Sequence, residues 1–411
     1  ATTAAPSATP TDAPSPSPSG DPTPSPSPSP PPGAVQGTLT IWADEQRAPI
    51  FLDIGADFTA ATGVPVVVHQ LGFGEIRDNL VLRGPAGEGP DIIVGAHDWL
   101  GQLVEAGVVE PIDLGAKATD FDPVSLQAFS YANAEGANTL YGVPYANEAV
   151  ALYYNADLVP EPPATWDELK TVAADLQENE GLEQAYCLQQ GDPYHTMPLL
   201  TGFGGYIFGR DDAGAYNSAD VGLDSEGGLA YAAELDQLVK DGLLRANIDY
   251  NACLELMTTE QAAFWITGPW ALGDFTSSGI NFGVAPIPQM AQTPAPFVGV
   301  QGMMISAFAP NKALAQTFLA EYMATEEAMQ ALFDAGQRPP AYLPVAATVT
   351  DANVLAFGES GSNGFPMPAI PEMNDVWGAW TDAINLIFTQ TEDPETAIQN
   401  AATTIRETIG E

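Results

Sequence analysis

From Leu39 onward the chain alternates two periods, and that alternation limits its folds more than any other feature. "TLTIW" (38–42), "VPVVVH" (64–69) and "DIIV" are short apolar runs of strand length. Between them, "RAPIFLDIGADFTAATG" sets Ile50, Ile54 and Phe58 at helical spacing and stops at Gly63. "EIRDNLVLR" reads as a helix, and "DWLGQLVEAG" as another closed by Gly107. Strand and helix in turn imply an open, largely parallel sheet with helices on both faces.

The stretch "YGVPYANEAVALYYN" (141–155) breaks the pattern with a long extended run around Asn147 and Glu148. A second alternation follows. Thr165 and Glu168 open a helix as a capping box, "AYCLQ" and "AAFWIT" read as strands, and "GGLAYAAELDQLVKDG" ends in Lys240 and Gly242. "NFGVAPIP" and "FVGVQGMMIS" lead back to helices over "NKALAQTFLAEYMATEEAMQALF", "NDVWGAWTDAINLIF" and "PETAIQNAATTIRETI". The expected fold class is α/β with two lobes joined by extended crossovers, and no repeat of 20 to 50 residues is evident.

Residues 1–36 are a different material, with 12 Pro, 7 Ser and no Lys, Arg or aromatic residue. Such a segment cannot bury enough apolar surface to offset its ordering entropy, so a disordered, polyproline-like spacer is expected. An SH3-type ligand is the alternative, but the basic flanks are missing. No run of about 18 apolar residues suggests a membrane helix. No signal peptide is visible, and a lipid-carrying Cys ahead of Ala1 would fit a surface-tethered protein.

Charge narrows the partners. Eleven Lys and Arg face 53 Asp and Glu, a net charge of −42. Nucleic acid and anionic lipid are disfavoured, as is a strongly anionic ligand. Cys187 and Cys253 are the right number for one bridge in an oxidising compartment; two separate buried thiols are the alternative.

Catalytic motifs are lacking. His97 and Asp98 are adjacent, but no second His or Cys stands at ligand spacing, so no metal is expected. There is no Gly-x-Ser-x-Gly, no Gly-x-Gly-x-x-Gly and no phosphate-binding loop, hence no nucleotide or other cofactor. A secreted glycoside hydrolase stays open, because carboxyl pairs are easily found among so many acids. What stands out is aromatic residues at element ends beside polar ones: Trp99 in "GAHDW", Tyr194 in "QGDPYHTMP", Trp270 in "TGPWALG" and Trp377 in "PEMNDVWGAW". Aromatic faces suit sugar rings and carboxylates accept from sugar hydroxyls. The competing reading of any one of them is core packing.

In this order, "LTIWADE", "GPDIIVGAHDWLGQLVEAGVVEPI", "VPYANEAVALYYNADLVPEPPATWDEL", "GDPYHTMPLLTGFGGYIF", "ITGPWAL", "FVGVQGMMISAFAPNKALAQTFL" and "PMPAIPEMNDVW" resemble the maltose/maltodextrin-binding proteins, solute receptors of bacterial ABC importers. The resemblance runs from about residue 38 to the C-terminus. It implies a periplasmic-binding-protein-like fold with a ligand cleft between lobes. It implies no enzyme activity, a malto-oligosaccharide or other oligosaccharide as ligand, the importer's membrane subunits as partners, and a monomer outside the cell on a lipid tether. The expected N-lobe is 37–146 plus 298–338, and the C-lobe 147–297 plus 339–411.

By position, the resemblance makes Asp98 the carboxylate that binds sugar hydroxyls and Glu148 the hinge glutamate that bonds the sugar. Asp192, Pro193 and Tyr194 match a contact loop, and Tyr250, Trp270 and Trp377 match aromatic platforms. Asp44, Glu45 and Arg47 fall near an Asp-Lys pair, with a length difference. The chain departs from the pattern at Gly95, where the family often has Trp, and at Trp99, where it has Arg. Gly378 and Thr381 replace an aromatic and a basic residue. Sugar stacking on the N-lobe is therefore expected to be rebuilt around Trp99.

Overall fold

The computed structural model describes residues 33, 36–132, 137–210 and 216–410. The spacer expected over 1–36 lies outside them, apart from Gly33 and Gln36. The first helix, Ala48–Thr62, buries Phe51, Ile54 and Phe58 on one stripe. It ends where Gly63 takes the left-handed conformation at φ 78° and returns its N–H to the carbonyl of Thr59. Thr165 caps the helix Trp166–Asp175 by accepting from the Glu168 N–H. The run read as one helical pattern from Asn311 is interrupted. Helix Glu326–Gly336 starts afresh behind its own cap, Thr325.

A seven-stranded sheet forms the larger half. Leu39–Ala43 lies between Val66–Gln70 and Ile92–Ala96, parallel to both. Successive residues face opposite sides. Ile92 and Val94 pack in one core with Phe51, Phe58 and Phe318, while Ile93 joins Ile76, Leu80 and Leu103 in another. Leu39–Ala43 and Ile92–Ala96 are therefore covered on both faces and read as unbroken apolar runs, whereas the edge strand Val66–Gln70 leaves Val67 exposed.

The expectation of a largely parallel sheet is corrected by the long strand Phe297–Ser306. It runs antiparallel to Ile92–Ala96, Gly142–Glu148 and Val109–Glu110, and is parallel only to the short Phe365–Pro366. The reason is connectivity. This strand enters the sheet from the second lobe and not through a helical crossover, so right-handed βαβ geometry does not set its direction.

The smaller sheet has four strands. Ala151–Asn155 is antiparallel to Phe264–Thr267 and Phe282–Ala285, and Tyr186–Cys187 lies parallel to Phe264–Thr267. Tyr153, Trp265, Phe275 and Phe357 form a core here, together with Cys187 and Cys253, whose sulfurs are bonded. The two sheets make an α/β, two-lobe architecture. Only Ala149 and Val150 separate the strand Gly142–Glu148 of one sheet from the strand Ala151–Asn155 of the other.

Candidate ligand-binding cleft

Strand ends from both sheets converge on one cavity of about 470 Å³. Beyond Ala43, Asp44 turns the chain by accepting the N–H groups of Gln46 and Arg47, which places Asp44, Glu45 and Arg47 on the cavity wall. Beyond Gln70, the helix Phe73–Arg83 contributes Phe73 and Arg77. Beyond Ala96, a tight helical turn His97–Trp99 contributes Asp98 and Trp99. All three come from carboxyl ends of parallel strands, where open α/β sheets bind ligands. From the other lobe, Tyr194 follows Tyr186–Cys187, Trp270 follows Phe264–Thr267, and Trp377 rises from the helix Met373–Phe388.

Aromatic faces thus come from both sides. Phe73 and Trp99 meet with ring centroids 4.6 Å apart. From the other lobe, Tyr194 lies 6.0 Å from Trp270, and the buried Phe297, which does not line the cavity, packs 6.5 Å from Tyr194 and 6.0 Å from Trp377. Trp99 itself is buried and folds back across Gly95. Arg77 Nη1 donates to Asn374 Oδ1 at 2.9 Å, joining the helix that carries Phe73 to the one that carries Trp377.

At the base of the cleft lies a neutral cluster of two carboxylates and two guanidiniums, all buried. Glu148 accepts from Arg47 Nη2 at 3.0 and 3.1 Å, from Arg338 Nε at 2.5 Å and from Gln301 Nε2 at 2.9 Å. Arg47 also pairs with Asp44 and donates to the Tyr145 hydroxyl at 2.7 Å. Burial works against the charge on Arg47, but Tyr145, Glu148 and Asp44 outweigh it and hold its pKa well above the ordinary value. Three donor nitrogens, Arg47 Nη2, Arg338 Nε and Gln301 Nε2, thus converge on the Glu148 carboxylate and fix its direction.

Two other acceptors are free. Asp98 Oδ1 and Gln301 Oε1 are buried and accept no hydrogen bond from any described residue. Burial pushes the Asp98 carboxyl up to about 6, against the pull of Arg77. Its neighbour His97 is buried and pushed down to about 4 by desolvation, so the ring is neutral. Nδ1 accepts from the Val300 N–H at 3.0 Å, which leaves Nε2 to donate to the Met367 carbonyl at 3.0 Å.

Nine of the expected residues line the cavity: Asp44, Glu45, Arg47, Asp98, Trp99, Glu148, Tyr194, Trp270 and Trp377. Asp192, Pro193 and Tyr250 do not. Asp192 caps the helix Pro193–Gly202, accepting from the His195 N–H at 3.1 Å and facing the His195 ring at 2.8 Å, with Pro193 in the first turn. Tyr250 starts the helix Tyr250–Thr258 and packs on Trp265 at 5.0 Å. Phe73, Arg77, Gln301 and Met367 were not anticipated. Gln301 had a signal, a lone amide inside the apolar strand "FVGVQGMMIS". Among the described residues no group of three or more His, Cys, Asp or Glu could hold a metal.

A cleft between two α/β lobes, walled by aromatic faces and buried acceptors, is the site of a two-lobed solute receptor. Residues 53–356 match the bacterial extracellular solute-binding protein family, and the chain belongs to it. The chain is 31% identical to the galactooligosaccharide-binding protein of Bacillus subtilis (strain 168), over 90% of this chain and 88% of that one. It is 30% identical to the maltotriose-binding protein of Pyrococcus abyssi, over 88% and 79%. It is 28% identical to the maltooligosaccharide ABC transporter solute-binding lipoprotein of Streptococcus pneumoniae serotype 4, over 90% and 88%. These are binding proteins, and the chain is a binding protein rather than an enzyme.

Proposed function

We propose that the chain captures an oligosaccharide outside the cell and presents it to the membrane subunits of an ABC importer. The observation that carries this reading is the pairing of aromatic faces from both lobes with two buried, unpaired acceptors, Asp98 Oδ1 and Gln301 Oε1. Aromatic rings cover the apolar faces of sugars, and the acceptors take their hydroxyl protons. Asp44 and Arg47 belong to the buried base, with the exposed Glu45 beside them, Tyr194, Trp270 and Trp377 form the platforms, and Glu148 acts through the Arg47 and Gln301 side chains it holds.

Malto-oligosaccharide is the proposed ligand, supported by the names of the Pyrococcus and pneumococcal relatives. A galactooligosaccharide is the second reading, favoured by the Bacillus relative at 31% identity. Calorimetric titration with maltotriose and with β-1,4-galactotriose tests both. Binding of either keeps the oligosaccharide reading and chooses the sugar; no binding to any member of a wider neutral oligosaccharide panel removes it.

The lobes we assign are 37–146 with 298–338, and 147–297 with the C-terminal part. Tyr342 and Val345 pack in the core of the large sheet, and Val354 and Phe357 in that of the small one. We therefore place the third crossing near 347–351. Closure about these crossings on the ligand is the proposed motion. The protein is taken as a monomer, tethered by lipid through the Pro/Ser-rich segment as the pneumococcal relative's name suggests.

A further inference from the structure

Gln301 sits where the long strand Phe297–Ser306 meets both of its main neighbours, opposite Ala96 on one side and Ala146 on the other. The pairing with Gly142–Glu148 is irregular just beyond it, where the extra residue, Tyr145, lies on the partner strand. The side chain is 4% exposed and lies on the cavity wall.

Chemistry alone decides which way its amide points. A carboxylate only accepts, so the end of Gln301 that meets Glu148 Oε2 at 2.9 Å must be the nitrogen. Glu148 cannot turn away, because Arg47 and Arg338 hold it from other directions. The amide oxygen is therefore presented elsewhere, buried and without a donor among the described residues. A buried amide oxygen left in that state carries a desolvation penalty until something donates to it.

We propose that Gln301 is a specificity-determining ligand contact, its Oε1 taking a hydroxyl proton from the bound sugar while Glu148 and Arg338 set its orientation. This rests on the oligosaccharide reading of the cleft. Asp98 Oδ1 is the second open acceptor, so the ligand donates at two places. The class selected is a neutral saccharide with free hydroxyls at both. A uronate that turns its carboxylate toward either oxygen is rejected, because acceptor would face acceptor.

The test is calorimetric binding of maltotriose or β-1,4-galactotriose, whichever the wild type takes, and of its monodeoxy analogues. Wild type and Gln301→Met are compared. One analogue is expected to bind wild type about tenfold or more weakly than the parent sugar, yet to bind Gln301→Met as well as the parent does. The unliganded variant is expected to melt close to the wild-type temperature, since losing the unsatisfied oxygen offsets losing the hydrogen bond to Glu148. A variant that discriminates among the analogues as wild type does overturns the proposal, whatever its affinity. Should Gln301→Met not fold, Gln301→Asn keeps an amide for Glu148 and withdraws its oxygen from the cleft, and carries the same comparison. Wild type that binds neither sugar nor any other in the panel removes the functional reading and this contact with it; wild type that binds without the coupling removes the contact alone.

Discussion

The indole of Trp99 occupies the space in front of Gly95: a Cβ built on Gly95 would stand 2.0 Å from Cζ3 of that ring. The two positions are thus exchangeable holders of one volume. Maltodextrin-binding proteins, which this chain resembles, often carry Trp at the first and Arg at the second. Here the aromatic reaches the same wall of the cleft from four residues further on and is braced by Phe73 at 4.6 Å. Gly95→Ala should cost about 1–3 kcal/mol by overpacking, read as a lowered melting temperature. The same change beside Trp99→Ala should cost little more than Trp99→Ala alone, because the obstruction is gone. Trp99→Ala should weaken oligosaccharide binding at least about tenfold if the ring stacks on sugar, within the range for one aromatic; an unchanged dissociation constant would mean that Trp99 only packs.

Asp98 should make stability and binding run in opposite directions with pH. Its folded pKa, about 6, lies above the ordinary 3.8 because of burial. Between those values the folded protein holds a proton that the unfolded chain releases, so the contribution of this group to stability falls as pH rises. By pH 7 the charged, buried carboxylate costs about 3 kcal/mol. Asp98→Asn should therefore raise stability at pH 7 in a denaturant titration, by an amount that vanishes below about pH 4. Its affinity for sugar should drop; wild-type affinity should fall below about pH 6 as the Asp98 carboxyl takes a proton, and that fall should be absent in Asp98→Asn.

Arg338 touches no cavity surface, yet it should matter to binding. It and Arg47 are the two cations on the Glu148 carboxylate. Removing one partner from a buried pair typically costs about 3–5 kcal/mol. Arg338→Met should lower the unfolding free energy by that order. Because Glu148 then loses its fixed direction, the affinity of the remaining folded protein should also fall. Arg338→Lys should recover part of the stability and less of the affinity, since a single ammonium does not reproduce the planar guanidinium.

Cys187 and Cys253 close a loop of 66 residues in the smaller lobe, next to Trp265. In the chain-entropy account, cutting such a loop costs about 4 kcal/mol. Reduced protein, or Cys253→Ser, should melt well below the oxidised protein. Thiol titration of the unfolded, unreduced chain should find none; two titrating thiols would be incompatible with the bridge.

Most elements were legible from local pattern. Gly63 and Gly107 stop helices because a left-handed turn costs glycine little, at φ 78° and 65°. Thr165 caps because its hydroxyl reaches an amide three residues away. These effects act within one or two turns of chain, so a stretch of ten or fifteen residues holds all the information needed. Asp192 was legible in the same way as the residue ahead of a helix, and a cap is the role its contacts give it.

The cleft's chemistry lies beyond that range. Glu148 meets Arg47 across 101 residues of sequence, Gln301 across 153 and Arg338 across 190. Nothing near Glu148 in the chain says that two arginines and a glutamine converge on it, and nothing near Gln301 says which end of its amide is free. The antiparallel direction of Phe297–Ser306 is equally non-local, because it depends on the route by which the chain comes back from the other lobe. Residue types and their local spacing were enough to make strands, helices and a list of ring and carboxylate candidates. Which of those groups face each other, which neutralise each other and which two acceptors remain open was decided by tertiary packing, since hydrogen-bond and ion partners are chosen by distance in space.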